Sequence, residues 1–160
     1  MKLGLISDTH DVLDPRIAGL FEGVHRILHA GDVGQPDLIA ELEIIAPVTV
    51  VAGNNDSYPG WHETEIREVG GHRFLVEHIV HPQVPSPGFA RRLQKSEAGI
   101  VVFGHSHRPF CRIIDRVLYL NPGSAGAPRF GLPRSVCLLH LESSGPRPEF
   151  LTLEGTPFVP

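Results

Sequence analysis

Four apolar runs in this chain each stop abruptly at a polar cluster, and that repetition constrains the fold more than any other feature. Lys2 to Ser7 stops at Asp8, Arg26 to Ala30 at Gly31-Asp32, and Val48 to Ala52 at Gly53-Asn54-Asn55-Asp56. Ile100 to Phe103 stops at Gly104-His105-Ser106-His107. Short apolar runs bounded in this way read as buried strands. Helical patterns separate the first three. Asp14-Pro15 reads as an N-cap with proline at the first helical position, followed by Ile17, Leu20, Phe21 and Val24 at i, i+3, i+4 and i+7. Pro36 opens a second helix with Leu38, Ile39, Leu42 and Ile45 on its apolar stripe. Strands alternating with helices predict parallel pairing, and ligands in open α/β sheets bind beyond the carboxyl ends of the strands.

The second half reads differently. Glu63 to Val69 and Arg73 to His78 flank Gly70-Gly71, a hairpin signal. Pro87 to Ser96 is a short helix candidate. Four further strand candidates are Cys111 to Ile114, Val117 to Leu120, Ser135 to Leu141 and Glu149 to Leu153. The expectation is an α/β fold with two packed mixed β-sheets flanked by helices, formed as a single domain over residues 1–160. The stretch from Pro82 to Pro87 is a loop rather than a boundary, because motifs lie on both sides of it.

Composition narrows the function classes. A chain of 160 residues can bury a real core, and 41% hydrophobic with 20% charged residues excludes disorder and a coiled coil. The net charge of −4 argues against long nucleic acids and anionic membrane surfaces as partners. No apolar run approaches membrane-spanning length, and the apolar start is too short for a signal peptide. Cys111 and Cys137 are expected to be free, buried residues in a reducing compartment. A soluble cytoplasmic protein is the resulting expectation.

Taken singly, the polar clusters are weak signals, since Asp caps helices and Asn-Asp sequences make turns. Together they are not. Strand ends on one sheet edge converge, and crowded carboxylates and imidazoles are costly to bury without compensation. Two divalent metals about 3.5–4 Å apart supply that compensation in phosphoryl chemistry. A donor set of Asp, Asn and His suits Mn²⁺, Fe²⁺, Co²⁺, Ni²⁺ or Zn²⁺ better than Mg²⁺ or Ca²⁺. The chain has ten histidines, several of them in these clusters.

Asp8-x-His10, Gly31-Asp32, Gly53-Asn54-x-Asp56, His78 and Gly104-His105-x-His107 resemble, in order and spacing, the calcineurin-like metallophosphoesterases. Asn121-Pro122-Gly123-Ser124 resembles a signature of the small single-domain phosphodiesterase branch of bacteria and archaea, to which the retromer scaffold subunit of eukaryotes is related. The resemblance implies a four-layer α/β/β/α sandwich and a two-metal site. Asp8, His10 and His107 would hold one metal, Asn54, His78 and His105 the other, and Asp32 would bridge both. A hydroxide between the metals would attack phosphorus, with Mn²⁺ the first expectation. Asp56, Asn55 and His10 are the candidate catalytic residues, Asp56 orienting groups around the site.

The chain departs from the family pattern at three positions. Asp11 stands where the family often has glycine, which adds negative charge to the first loop. Asn55 replaces a histidine thought to protonate the leaving group, so phosphodiesters or activated monoesters are expected as substrates. Ile79 replaces a glycine, which leaves His78 and His81 as alternatives, although a strand of ordinary length from Gly70-Gly71 reaches His78. His25, His29, His62, His72 and His140 read as ordinary surface or core residues, and Arg108 and Arg129 as solvated, with a phosphate contact the alternative. The expected partner is a small phosphate ester, with self-association open. The competing reading is a non-catalytic protein-interaction scaffold on the same fold.

Overall fold

A computed structural model describes all residues 1–160. Strands β1 (Lys2–Ile6), β2 (Arg26–His29) and β3 (Val48–Val50) pair in parallel, with α1 (Arg16–Leu20) and α2 (Asp37–Glu43) as crossovers. Then come β4 (Thr64–Val69), β5 (His72–Glu77), α3 (Pro87–Ser96) and β6 (Ile100–Val102). The chain ends with β7 (Phe110–Ile114), β8 (Val117–Asn121), β9 (Ser135–Glu142), β10 (Gly145–Thr152) and β11 (Pro157–Phe158). A six-stranded sheet runs β11-β10-β9-β1-β2-β3 and a five-stranded sheet β4-β5-β6-β8-β7. Both are mixed: β9 joins β1 antiparallel, while β5, β6 and β8 run parallel.

Side-chain alternation along the strands builds the layers. Leu3 and Leu5 of β1 pack with Phe74, Val76, Ile100, Val102 and Leu120 in the core between the sheets. Ile6 turns the other way, onto Ile17 and Phe21 of the α1 segment and Leu38, Ile39 and Leu42 of α2. On the far side, Leu75 and Val101 pack with Phe89 of α3. These three apolar layers make the four-layer arrangement, as residues two apart share a face.

Local details correct several boundaries. Pro15 and Pro36 occupy the cap positions themselves rather than the first helical turn, with φ of −61° and −57°. Asp14 still serves the start of α1, because its carboxylate accepts the Arg16 N–H at 3.0 Å. β10 begins at Gly145 rather than Glu149. Pro146 and Pro148 are tolerated because β11 pairs only with Phe150 and Leu151, so the early part of β10 has no outer neighbour to lose a hydrogen bond to. β11 spans two residues, too short to show any periodicity. Cys137 is buried as expected, but Cys111 is only half-buried, and both are free.

Candidate metal centre

The carboxyl ends of β1, β2, β3, β5 and β6 bring the sequence motifs to one mouth of the sandwich. Hydrogen bonds between loops fix them there: Asp8 N–H to Gly31 O, His10 N–H to Asp32 O and Gly104 N–H to His78 O, each at 3.0 Å. The backbone is forced into the left-handed region at Asp8, His10, Asp32, His105 and His107, with φ between 44° and 66°. Such residues cost about 1–3 kcal/mol each and gather where function requires them.

Two carboxylates form the floor. Asp8 is fully buried; its Oδ2 accepts the Ser7 hydroxyl at 2.6 Å and the His105 N–H at 3.2 Å. Asp32, 2% exposed, takes the Asn55 backbone N–H on Oδ1 at 2.9 Å and the Asn55 amide on Oδ2 at 2.7 Å. Imidazoles surround them. His107 Nε2 is 3.3 Å from Asp8 Oδ1, His10 Nε2 is 3.7 Å from Asp32 Oδ2, and the two rings' Nε2 atoms are 3.4 Å apart. His78 Nε2 lies 3.4 Å from Asp32 Oδ2 and 4.0 Å from Asp8 Oδ1. Ligand atoms of Asp8, His10 and His107, and again of Asp8, Asp32 and His78, lie within 4.8 Å of one another.

His78 shows what this arrangement is for. Its Nδ1–H donates to Ala30 O at 2.7 Å, which leaves Nε2 as the bare lone pair. That Nε2 is buried without a hydrogen-bond partner and faces two carboxylates. A lone pair and anionic oxygens converging on one point are matched by a cation. Titration behaviour agrees. Burial opposes ionisation of Asp32, but His78 and the two Asn55 donors hold its carboxyl well below the usual range. Burial lowers His10, with Arg129 adding to the effect, so its ring stays neutral. Burial alone would lower His78 too, yet the nearby carboxylates raise it, marking a spot that attracts positive charge. Asp32 and His10 are thus held in the forms a metal binds, ionised carboxylate and neutral imidazole, while His78 would give up its proton to an ion that takes that place. The donor set therefore fits divalent metal.

The other residues singled out in the sequence fall around this cluster. His105 is exposed, its ring centroid 5.4 Å from that of His78. Asn54 is on the rim, lining a cavity of about 220 Å³ with His78, Glu63 and Glu77. Asp56 clamps two loops together by accepting N–H groups from Val33, Gly34 and Gly53 at 2.8–3.1 Å. His81 lies apart, lining another pocket with Pro82, Val84 and Phe110, so His78 is the histidine beside the carboxylates. Asp11 turns away to accept the Gln35 N–H at 2.7 Å, so its charge is engaged outside the cluster.

Sequence reasoning passed over the supports. Asn121 donates its amide to Gly104 O at 2.8 Å and to Ser106 Oγ at 3.1 Å, holding the Gly-His-Ser-His loop. Ser124 Oγ donates to Asp8 O at 3.0 Å. The Asn-Pro-Gly-Ser motif was the available signal for both.

His29 had no such signal. It is wholly buried; its Nδ1 accepts the Gly31 N–H, and its Nε2 meets Thr9 Oγ1 at 3.0 Å, whose hydroxyl reaches Val33 O. Burial pushes its pKa down to about 4 against the nearby carboxylates. The neutral ring is thus the folded form. Its stabilisation is complete above pH 6.5 and is lost as pH falls toward 4, by at most about 3 kcal/mol. Urea denaturation of metal-stripped protein should show this decline, and His29→Gln should flatten it between those pH values. An unchanged slope in the variant would remove His29 from the account.

Comparison with known proteins agrees with this geometry. The sequence profile described as a calcineurin-like phosphoesterase superfamily domain matches residues 1–144. A Methanothermobacter thermautotrophicus protein named "Probable metallophosphoesterase" is 35% identical over 151 residues, spanning 89% of this chain and 87% of its own. A solved archaeal phosphodiesterase superposes with a TM-score of 0.76 at 26% identity, covering 94% of this chain and all of that one. Vacuolar Protein Sorting 29 from Cryptosporidium parvum shares the fold with a TM-score of 0.80 at 22% identity, covering 98% and 94%.

Proposed function

Because the chain belongs to the calcineurin-like phosphoesterase superfamily, we propose that it hydrolyses small phosphodiesters, or monoesters with good leaving groups, using two divalent metals. The observation that carries this reading is the unpartnered, buried Nε2 of His78 facing Asp8 and Asp32. Asp8, His10 and His107 would hold one ion, and Asn54, His78 and His105 the other. Asp32 would serve both, since its Oδ2 alone faces His10 on one side and His78 on the other. Mn²⁺ is the proposed ion, with Ni²⁺, Co²⁺, Fe²⁺ and Zn²⁺ also suited to these donors. Bound there, the ions would neutralise phosphoryl oxygens and lower the pKa of water to give a nucleophile.

The protein's own groups set the limits of that chemistry. Asn55 spends its amide on Asp32 Oδ2 and has no acidic proton, so it gives the leaving group no general-acid help. Asp56 fixes the loops that carry Asp32 and Asn54. No helix is long and apolar enough to cross a membrane, and the reading places the enzyme in the cytoplasm as a single domain acting on small esters. A scaffold role on the same fold is the second reading, which the likeness to Vacuolar Protein Sorting 29 keeps in view; the full donor set favours the enzyme.

The test is hydrolysis of bis-p-nitrophenyl phosphate and p-nitrophenyl phosphate by metal-stripped protein given back Mn²⁺, Ni²⁺, Co²⁺, Zn²⁺ or Mg²⁺. Metal-restored turnover favouring the diester is expected. Metal uptake with no turnover of either ester would move the scaffold reading ahead.

A further inference from the structure

Above the cluster, a tight turn presents an aromatic ring to water. Phe130 is 75% exposed, unusual for a phenylalanine, and its ring stands edge-on to His107 with centroids 5.6 Å apart at 75°. Phe130 and Gly131 have φ of 57° and 66°, and the Leu132 N–H closes the turn on Arg129 O at 3.1 Å. Two central residues with positive φ suit glycine, asparagine or aspartate, and a bulky residue in the first place is strained. The fold thus keeps a phenylalanine both in water and in an unfavourable conformation, beside a histidine of the metal cluster. Neither packing nor turn geometry accounts for it.

We propose that Phe130 is a specificity-determining residue: an open aromatic face that stacks on a planar ring carried by one arm of the phosphate ester. The proposal rests on the phosphoesterase reading and narrows it to esters bearing a nucleobase or an aryl group. Stacking needs only a π-face, so it tolerates different rings, and an aromatic–base contact changes binding by about tenfold on loss to a small residue. Alkyl phosphate esters gain nothing from it.

Calorimetric titration of the Mn²⁺-loaded protein tests this with two pairs of ligands. AMP and ribose 5-phosphate differ only in the base; phenyl phosphate and methyl phosphate differ only in the ring. The wild type should bind the ringed member of each pair about tenfold more tightly. A larger gain for AMP identifies a nucleobase, and equal gains identify any planar ring. Phe130→Gly should bring both ratios near one with ribose 5-phosphate affinity unchanged, and Phe130→Tyr should restore them. Relief of strain should leave the Phe130→Gly thermal midpoint at or above that of the wild type. No ring preference in the wild type, equal loss for both members of a pair, or a lowered midpoint in Phe130→Gly would each overturn the proposal. Ring preference without metal-restored hydrolysis of bis-p-nitrophenyl phosphate would instead sink the phosphoesterase reading and leave the stacking role standing.

Discussion

Asp32→Asn should cut metal-dependent ester hydrolysis by about 10²–10³-fold, the scale on which loss of one charge-stabilising group acts. The side chain keeps its size, and its Oδ1 can still accept the Asn55 N–H. What disappears is the negative charge between His10 and His78, and with it the one oxygen that faces both. Metal content separates this from simple misfolding. Saturating Mn²⁺ at about 100 times its dissociation constant stabilises a folded protein by about 2.7 kcal/mol, or roughly 5–10 °C in thermal midpoint for a chain of this size. The wild type should show that shift. The variant should lose most of it and bind fewer ions per chain while melting cooperatively. Turnover within tenfold of the wild type would exclude Asp32 as the shared ligand.

The second large effect is expected at Gly104. A Cβ there would overlap the Ser7 hydroxyl and stand 2.8 Å from Asp8 Oδ2 and 3.1 Å from Ala30 O. Those atoms sit at the ends of adjacent strands β1 and β2 and have nowhere to go. Gly104→Ala should therefore lower stability by about 1–3 kcal/mol, as overpacking does. It should also break the Ser7–Asp8 hydrogen bond, so that metal affinity falls with stability. Gly99→Ala is the matched control, because an added methyl there meets nothing within 4 Å and surface changes stay within about 0.5 kcal/mol. Urea denaturation with an unchanged m-value reads both. A Gly104→Ala midpoint equal to that of the control would show that the two sheets are less tightly apposed than described.

The sequence disclosed strand ends better than it disclosed what holds them. Asp8, Asp32 and the Gly-His-Ser-His residues interrupt apolar runs, so each was legible as a strand end, although the strands that carry them belong to two different sheets. The paired glycines at 70 and 71 likewise marked a hairpin, and Val69 does pair with His72. His29 was illegible, because an imidazole satisfied by Gly31 and Thr9 looks, in sequence, like any histidine in a strand. Ser7 was hidden for the same reason, since nothing in composition announces its hydrogen bond to Asp8; Asn121 was marked by its motif, but not its bond to Gly104, 17 residues away. Phe130 reads as an ordinary loop residue until its backbone angle is known. Short elements fail similarly; β11 is made by two residues that pair with Phe150 and Leu151, with no pattern of their own.

The position of β1 has a bearing on how such a protein comes to exist. It is central in its sheet, with β2 on one side and β9 on the other, and Met1, just before it, is bonded to Leu141, 140 positions along the chain. A ribosome makes β1, β2 and β3 first, but the strand that completes β1 emerges almost last. Contacts this distant in sequence form slowly and late. The loop holding Asp8 waits as well, since its carbonyl takes hydrogen bonds from Ser124 and Gly126. The nascent chain thus carries scattered Asp and His side chains without an assembled cage, and ion capture would have to await the closing of the sandwich. A truncated product lacking β9 would leave β1 as an edge strand, paired with β2 alone.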